Sequence, residues 1–194
     1  MRRFNDARSS DTADEIWLLQ HPPVYTLGLN NKSAPPLQTD IQVVQTDRGG
    51  QITYHGPGQL IVYTLLDLER LHIGIKQLVS LLEQSVIELM QLRDIPAQRI
   101  SGAPGVYFEK RKLAALGLRV RRHCSYHGLS VNVNMDLSPF SAIDPCGYAG
   151  MEVTDMKSLG LTESIDDVAQ FLLGYLSKQL GYTGFMQPAL TELP

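Results

Sequence analysis

Gly105-Val106-Tyr107-Phe108-Glu109-Lys110-Arg111-Lys112-Leu113-Ala114-Ala115-Leu116-Gly117-Leu118-Arg119-Val120 decides the fold class. Two apolar runs, 105–108 and 113–120, are parted by the charged triplet Glu109-Lys110-Arg111. Short apolar runs bounded by polar punctuation read as strands, and so brief an interval joins them as an antiparallel hairpin. Similar runs predict strands at 16–19, 41–46, 60–66 and 129–133. Helices interrupt this series singly. Ile75, Leu78, Val79, Leu82, Val86, Leu89 and Met90 recur in steps of three and four, so a helix is expected over 75–92, stopped by Pro96. Val168, Phe171, Leu172, Tyr175 and Leu176 predict a second over 165–180, with Ser164 and Asp167 in capping-box positions and Gly181 at its end. Strands in series with isolated helices favour an α/β (α+β) fold, a mixed or mostly antiparallel sheet with flanking helices, over regular βαβ winding.

The chain has 194 residues, enough for one domain with a full core. A hydrophobic fraction of 43% with 19% charged residues excludes wholesale disorder. Net charge is −3, which argues against a nucleic-acid coat, so no nucleic acid is expected as a partner. Two cysteines are too few for a disulfide scaffold and fit a reducing cytosol. The N-terminal residues lack the apolar core of a secretory signal. The longest clean apolar stretch, 60–66, falls far short of the ~20 residues a spanning helix needs. A cytoplasmic protein with no membrane partner is expected.

Four segments carry chemistry. Arg48-Gly49-Gly50-Gln51-Ile52-Thr53-Tyr54-His55-Gly56-Pro57-Gly58-Gln59 is rich in glycine, which lets a backbone approach a ligand closely. It matches neither a P-loop nor a dinucleotide fingerprint. A tight hairpin accounts for the glycines, but Arg48 and His55 add polar groups that a turn does not require. Asp144-Pro145-Cys146-Gly147 sets a cysteine on a loop, where a thiol with a lowered pKa is reactive and a buried one inert. Lys112 opens an apolar strand. If it points inward, its ammonium favours a nearby thiolate; if outward, it is a solvated hairpin lysine. The fourth segment, Arg121-Arg122-His123-Cys124-Ser125-Tyr126-His127-Gly128, offers zinc-type ligands. His123 and Cys124 would point to opposite faces of a strand, so no metal site is expected. Residues 99–122 hold seven basic side chains and one acidic, Glu109. This block reads as a solvated basic face or as a docking surface for an acidic partner.

In this order, the segments resemble the lipoyl(octanoyl) transferases of lipoate biosynthesis. The resemblance covers about residues 14–160. It takes in His21-Pro22-Pro23-Val24-Tyr25-Thr26-Leu27-Gly28, the Arg48–Gln59 stretch quoted above, and Lys112-Leu113-Ala114-Ala115-Leu116-Gly117. It continues through Tyr126-His127-Gly128-Leu129-Ser130-Val131-Asn132-Val133-Asn134, Met135-Asp136-Leu137-Ser138-Pro139-Phe140 and Asp144-Pro145-Cys146-Gly147-Tyr148-Ala149-Gly150-Met151. Members of that family usually begin with a further strand and a longer first helix. On this likeness, the single acyltransferase domain at 1–194 starts inside that helix.

The resemblance implies the fold of biotin and lipoate protein ligases. It implies transfer of an octanoyl or lipoyl group from acyl carrier protein to a lysine of a lipoyl domain, through a thioester on Cys146. The acceptors would be the lipoyl domains of 2-oxoacid dehydrogenases and the glycine cleavage H protein. Lys112 resembles the lysine that lowers the cysteine pKa. Substrate would lie against Arg48, Gly49, Gly50, Gln51, Ile52, Thr53, Tyr54 and His55, against Ala115, Leu116 and Gly117, and against Gly128, Leu129 and Ser130. No cofactor is implied, because the thioester donor is already activated. Two other readings remain open: an ATP-dependent lipoate ligase, which needs no thiol at 146, and a non-catalytic module binding acyl carrier protein.

Overall fold

The computed structural model describes residues 1–31, 40–143, 152–184 and 186. In chain order its elements begin with α1 (Arg2–Asp6), β1 (Glu15–Leu19), β2 (Val24–Leu27), β3 (Gln42–Gln45), β4 (Thr53–His55), β5 (Gln59–Leu65) and α2 (Ile75–Gln91). They continue with β6 (Ala97–Ile100), β7 (Ala103–Phe108), β8 (Arg111–Arg121), β9 (Cys124–Asn132) and α3 (Ile165–Gln179). Short 3-10 turns cover Ser138–Ala142 and Lys157–Leu159. The larger sheet runs β1-β5-β9-β8-β7-β6 and is antiparallel at every junction. The smaller runs β3-β2-β4, with β2 parallel to β3 and antiparallel to β4.

The alternation of side chains along the strands separates two faces. Leu60 and Val62 of β5, Leu129 and Val131 of β9, and Leu113 of β8 form one core. Leu78, Leu82, Val86 and Leu89 of α2 and Val168, Leu172 and Leu176 of α3 pack onto it. These residues fall on the stripes expected from the helical periodicity, but Ile75, expected to open the first stripe, is exposed at the start of α2. The Ser164–Asp167 capping box starts α3 as expected. Ile61, Tyr63, Gly117, Gly128 and Ser130 face the other way. A second core joins Tyr25, Leu27, Ile52 and Tyr54 of the smaller sheet region to Phe140 and Ile143.

The 105–120 hairpin forms as β7 and β8, turning at Glu109 with φ of 55°. Three strands escape the sequence pattern. β4 is only three residues long, and β2 four. β6 is an edge strand with three of its four residues exposed, so no hydrophobic alternation marks it. The expected strand at 129–133 begins earlier, at Cys124, because Ser125, His127 and Ser130 are polar yet buried. His123 lies in the turn before β9, with φ of 62°, rather than beside Cys124 on a strand.

The basic block does not form one face. β8 has eleven residues, which at about 3.3 Å each puts Arg111 and Arg121 some 30 Å apart. Arg99 pairs with Glu83, Arg111 with Glu109 and Arg121 with Asp6. Lys112 is buried.

One carboxylate ties the ends of the described chain to the sheet. Asp14 accepts from Arg8, from Arg70 at 2.7 Å, from the Asp67 amide at 2.7 Å and from the Tyr182 hydroxyl at 2.5 Å. The Arg8 and Asp14 side chains are each only 4% exposed. Removing one partner of a buried pair strands the other charge. Asp14→Ala is therefore expected to cost about 3–5 kcal/mol in urea unfolding. Arg70→Ala, at a side chain 40% exposed, is expected to cost under about 1 kcal/mol.

Candidate active site

The three segments singled out for substrate binding meet on the sheet face turned away from α2 and α3. Gly117 pairs with Gly128 across β8 and β9, and Ala115 with Ser130. The floor there is almost without side chains. The Arg48-Gly49-Gly50 loop lies on it. The Gly49 amide donates to the Leu118 carbonyl at 3.1 Å. A Cβ on Gly117 would stand 3.1 Å from both Arg48 Cδ and the Gly49 carbonyl oxygen. On the loop's other side, the Leu29 and Asn30 amides donate to the Arg48 and Gly50 carbonyls at 3.0 and 3.1 Å.

Arg48 is buried and holds this loop in place. Its Nη2 donates to the Thr26 carbonyl at 2.6 Å, its Nε to Thr26 Oγ1 at 3.1 Å, and its Nη1 to the Gly49 carbonyl at 3.0 Å. Beyond β4 the chain crosses from the smaller sheet to the larger by Gly56-Pro57-Gly58-Gln59. Gln59 N donates to Gly56 O at 3.2 Å and Gly58 has φ of 85°, the geometry of a type II turn. The stretch is thus a corner between sheets rather than a hairpin within one. The Gly58 carbonyl accepts from Val133 and Asn134, which fixes the corner to the end of β9.

His55, at the end of β4, sits in a polar cluster. Its Nδ1 lies 2.7 Å from Gln59 Oε1, and its ring is 6.0 Å from that of His21. His21 Nε2 lies 2.6 Å from the Tyr63 hydroxyl. Tyr63 stands edge-on to His127 at 6.2 Å. His127 Nε2 lies 2.9 Å from Asp47 Oδ1, and Tyr126 donates its hydroxyl proton to Asp47 Oδ2 at 2.6 Å. Burial pushes the pKa of all three imidazoles down. His55 falls to about 4, and Arg48, His21 and His127 repel its proton further. Burial pushes Tyr63 up to about 12. Burial opposes ionisation of Asp47, but hydrogen bonds from Tyr126 and His127 outweigh it and hold the carboxyl below its ordinary range.

Lys112 points inward from β8 and is only 3% exposed. Its Nζ lies 3.4 Å from the Pro104 carbonyl oxygen and 5.1 Å from the centre of the Tyr107 ring. Gly105, at φ of 140°, makes room for it: a Cβ there would stand 2.7 Å from the Ala114 carbonyl oxygen and 3.2 Å from Lys112 Cε. Behind it, Glu83 of α2 accepts from the Gly105 amide at 2.9 Å. The backbone of Lys112 straps the chain at 152–154: its amide donates to the Glu152 carbonyl at 2.9 Å, and its carbonyl accepts from Thr154 at 3.0 Å.

Cys146 lies outside the described residues. Ile143, before that segment, packs in the core of Tyr25 and Tyr54, and Glu152, after it, is held by Lys112. Cys124 is buried, and burial raises its thiol pKa, the mark of an inert cysteine. Asp47 and Tyr63 join the site without a sequence signal of their own, and Asn132 stood in a quoted motif without a role. His21, Gln59 and His127 stood in quoted motifs but had no assigned role in the acyl site.

The family match fits this arrangement. Residues 2–177 match the model of the lipoyl protein ligase A/B catalytic domain. The chain belongs to that family. It is 56% identical over 184 residues to an octanoyltransferase of Nitrosococcus oceani, covering 94% of this chain and 82% of the relative. It is 51% identical over 183 residues to an octanoyltransferase of a Shewanella species, covering 94% and 84%. Among solved structures it superposes on a lipoate-protein ligase A bound with ATP, with a TM-score of 0.80 at 15% identity over 98% of this chain and 82% of that one. A biotin protein ligase from Aquifex aeolicus shares the fold more distantly, with a TM-score of 0.52 at 23% identity over 64% and 53%. The biotin and lipoate protein ligase fold is thereby shown. No helix among the described residues is long and apolar enough to cross a membrane.

The depressed imidazoles make stability depend on pH. Between the ordinary histidine value of 6.5 and the folded value of about 4, His55 binds a proton in the unfolded chain but not in the native one. Stability is therefore expected to fall as pH drops through that window. Carboxylates such as Asp47, ordinarily 3.8, add their loss only below it. Urea midpoints measured across the window should show a flatter pH slope in His55→Gln than in the parent protein.

Proposed function

We propose that this acyltransferase moves an octanoyl group from acyl carrier protein to a lysine of a lipoyl domain by way of a thioester on Cys146. In the first half, Cys146 gives up its thiol proton, Sγ bonds to the octanoyl carbonyl carbon, the donor's C–S bond breaks and the carrier takes that proton and leaves as its thiol. In the second, the lysine amine nitrogen bonds to the same carbon. The Sγ–C bond breaks, one amine proton passes to the leaving sulfur, and the Cys146 thiol returns. Lipoyl domains of 2-oxoacid dehydrogenases and the glycine cleavage H protein are the acceptors, and a cytoplasmic setting suits a free nucleophilic thiol. No cofactor enters this scheme.

The observation that carries the chemistry is the burial of Lys112 on the strand that anchors the exit of the Cys146 segment. An ordinary thiol, with a pKa of about 8.5, is only a few per cent thiolate at neutral pH. An ammonium screened little by water raises that fraction. An octanoyl chain held in an apolar slot gains about 0.8 kcal/mol for each CH2 it buries. The oxyanion that forms as the carbonyl is attacked needs backbone amide donors other than that of Gly49, which Leu118 already engages.

Intact mass spectrometry after incubation with octanoyl-acyl carrier protein should show one added octanoyl group. The adduct should vanish in Cys146→Ser and persist in Cys124→Ala. A Cys146→Ser variant that still modifies lipoyl domains with ATP and free acid would turn the reading to a ligase. Replacing Lys112 with Ala should raise the pH midpoint for alkylation of Cys146 by about one unit. An unchanged midpoint would remove the electrostatic role of the lysine.

A further inference from the structure

The orientation of two buried amides dictates which nitrogen of His55 carries its proton. Asn132 Nδ2 donates to the Thr154 carbonyl at 2.9 Å, and a carbonyl only accepts. Asn132 Oδ1 must therefore face Gln59, whose Nε2 donates to it at 2.8 Å. Gln59 Nε2 also lies 3.5 Å from the Tyr54 carbonyl oxygen, a second acceptor on the same side. Gln59 Oε1 is thus turned to His55 Nδ1 at 2.7 Å, and a contact this short between ring nitrogen and amide oxygen requires an Nδ1–H donor. A neutral imidazole holds one ring proton, so Nε2 is the acceptor. Gln59 and Asn132 are 1% and 5% exposed, and water has little access to reverse this order.

We propose that Gln59 and Asn132 are positioning residues that hold His55 in the Nδ1–H tautomer, so that Nε2 accepts a hydrogen bond from an N–H group of bound substrate. The ladder ends at the candidate catalytic lysine, because the Thr154 amide donates to the Lys112 carbonyl at 3.0 Å. The same bonds that orient His55 therefore fix its place relative to Lys112. Burial keeps His55 neutral against the Gln59 hydrogen bond, which favours its proton, and the charged and titratable groups around it add to the effect of burial. Arg48 faces it from the glycine loop, His21 from the link between β1 and β2, and His127 from β9, each disfavouring a second proton. With a pKa of about 4 the ring is too weak a base to carry a proton at neutral pH. Its use is to aim a donor.

This inference rests on the proposed acyl transfer, which supplies two N–H sources of the same chemistry: an amide of the donor's prosthetic arm and the amine of the acceptor lysine. Two variants of the full chain test it. Gln59→Met is close in size but removes the acceptor facing Nδ1. Gln59→Glu keeps that acceptor and adds a negative charge. In protein labelled with 15N at histidine, His55 should show a protonated Nδ1 and a pyridine-type Nε2. Gln59→Met should mix the tautomers and slow one half-reaction about tenfold, the loss of a hydrogen bond. Slower acyl-enzyme formation assigns the donor's amide, and slower transfer to the lipoyl domain assigns the amine. Gln59→Glu should keep the tautomer and move the acid limb of activity up by about one pH unit or more, which a merely structural glutamine would not do.

An Nε2–H tautomer in the parent protein would overturn the proposal. So would unchanged rates in both half-reactions when Gln59→Met has shifted the tautomer. If Gln59→Met does not fold, the parent tautomer and the Gln59→Glu pH profile decide by the same criteria. A parent protein that forms no acyl-enzyme would instead sink the proposed function, and the nitrogen spectra would still report on the ladder.

Discussion

The site depends on one steric constraint: a floor without side chains where Gly117 pairs with Gly128. A Cβ at Gly128 would lie 2.0 Å from the Val62 carbonyl oxygen, and one at Gly117 would press on Arg48 and Gly49. Backbone atoms cannot yield as flexible side chains can. These glycines therefore let two things happen together. The central strands β5, β9 and β8 pair tightly, and the Arg48-Gly49-Gly50 loop comes down onto their face. The smaller sheet is joined to the larger through that loop and through the Gly56–Gln59 corner. The second core, of Tyr25, Tyr54, Phe140 and Ile143, completes the joint. The segment carrying Cys146 begins at this core.

The polar groups near this floor are buried at a cost that the fold offsets with partners. Arg48 spends its guanidinium on Thr26 and Gly49. It therefore acts first as a brace for the glycine loop, whatever a substrate adds. Asp47, one residue earlier, clamps His127 and Tyr126 from the other side of the same loop. Unpaired buried polar groups cost about 1–3 kcal/mol each, so such pairings specify the loop's position as strictly as packing does. Glu83 plays the same part beneath Lys112, joining α2 to the start of β7 through the Gly105 amide.

Local pattern made α2, α3 and the β7–β8 hairpin legible, because each is specified within a few residues; the glycine stretch read equally well as a hairpin, since only the two sheets it joins make it a corner. Ser164 caps α3 through Asp167, three positions away. Partners distant in the chain left no such trace. Gln59 and Asn132 are 73 positions apart, and Asp47 and His127 are 80. Nothing in a single sequence pairs them. β6 was hidden for another reason: as an exposed edge it carries Gln98 and Arg99 where a buried strand would carry apolar residues. The basic block misled because charge counted along a strand ignores length. Arg111 and Arg121 are neighbours in composition and opposite ends of β8 in space. Lys112 could not be assigned from pattern alone, since an inward and an outward lysine look alike until the strand's register is known.

That register explains how one sheet face can hold both a cation and neutral imidazoles. Lys112 stands at the start of β8, beside Tyr107 and the strap at Glu152. His127 pairs with Leu118, six residues along the same strand, about 20 Å away. At such a distance the ammonium does little to the His127–Asp47 pair, and the pair does little to the ammonium. Gln59 pairs with Asn132 near the Lys112 end of the sheet, and through it His55 is coupled to the lysine by amides and backbone carbonyls rather than by charge. The Asp47 carboxylate therefore does not cancel the lysine's field, as the proposed service to a thiolate requires. Separating the groups along a strand, and joining them by neutral hydrogen bonds, lets each keep the protonation state its neighbours impose.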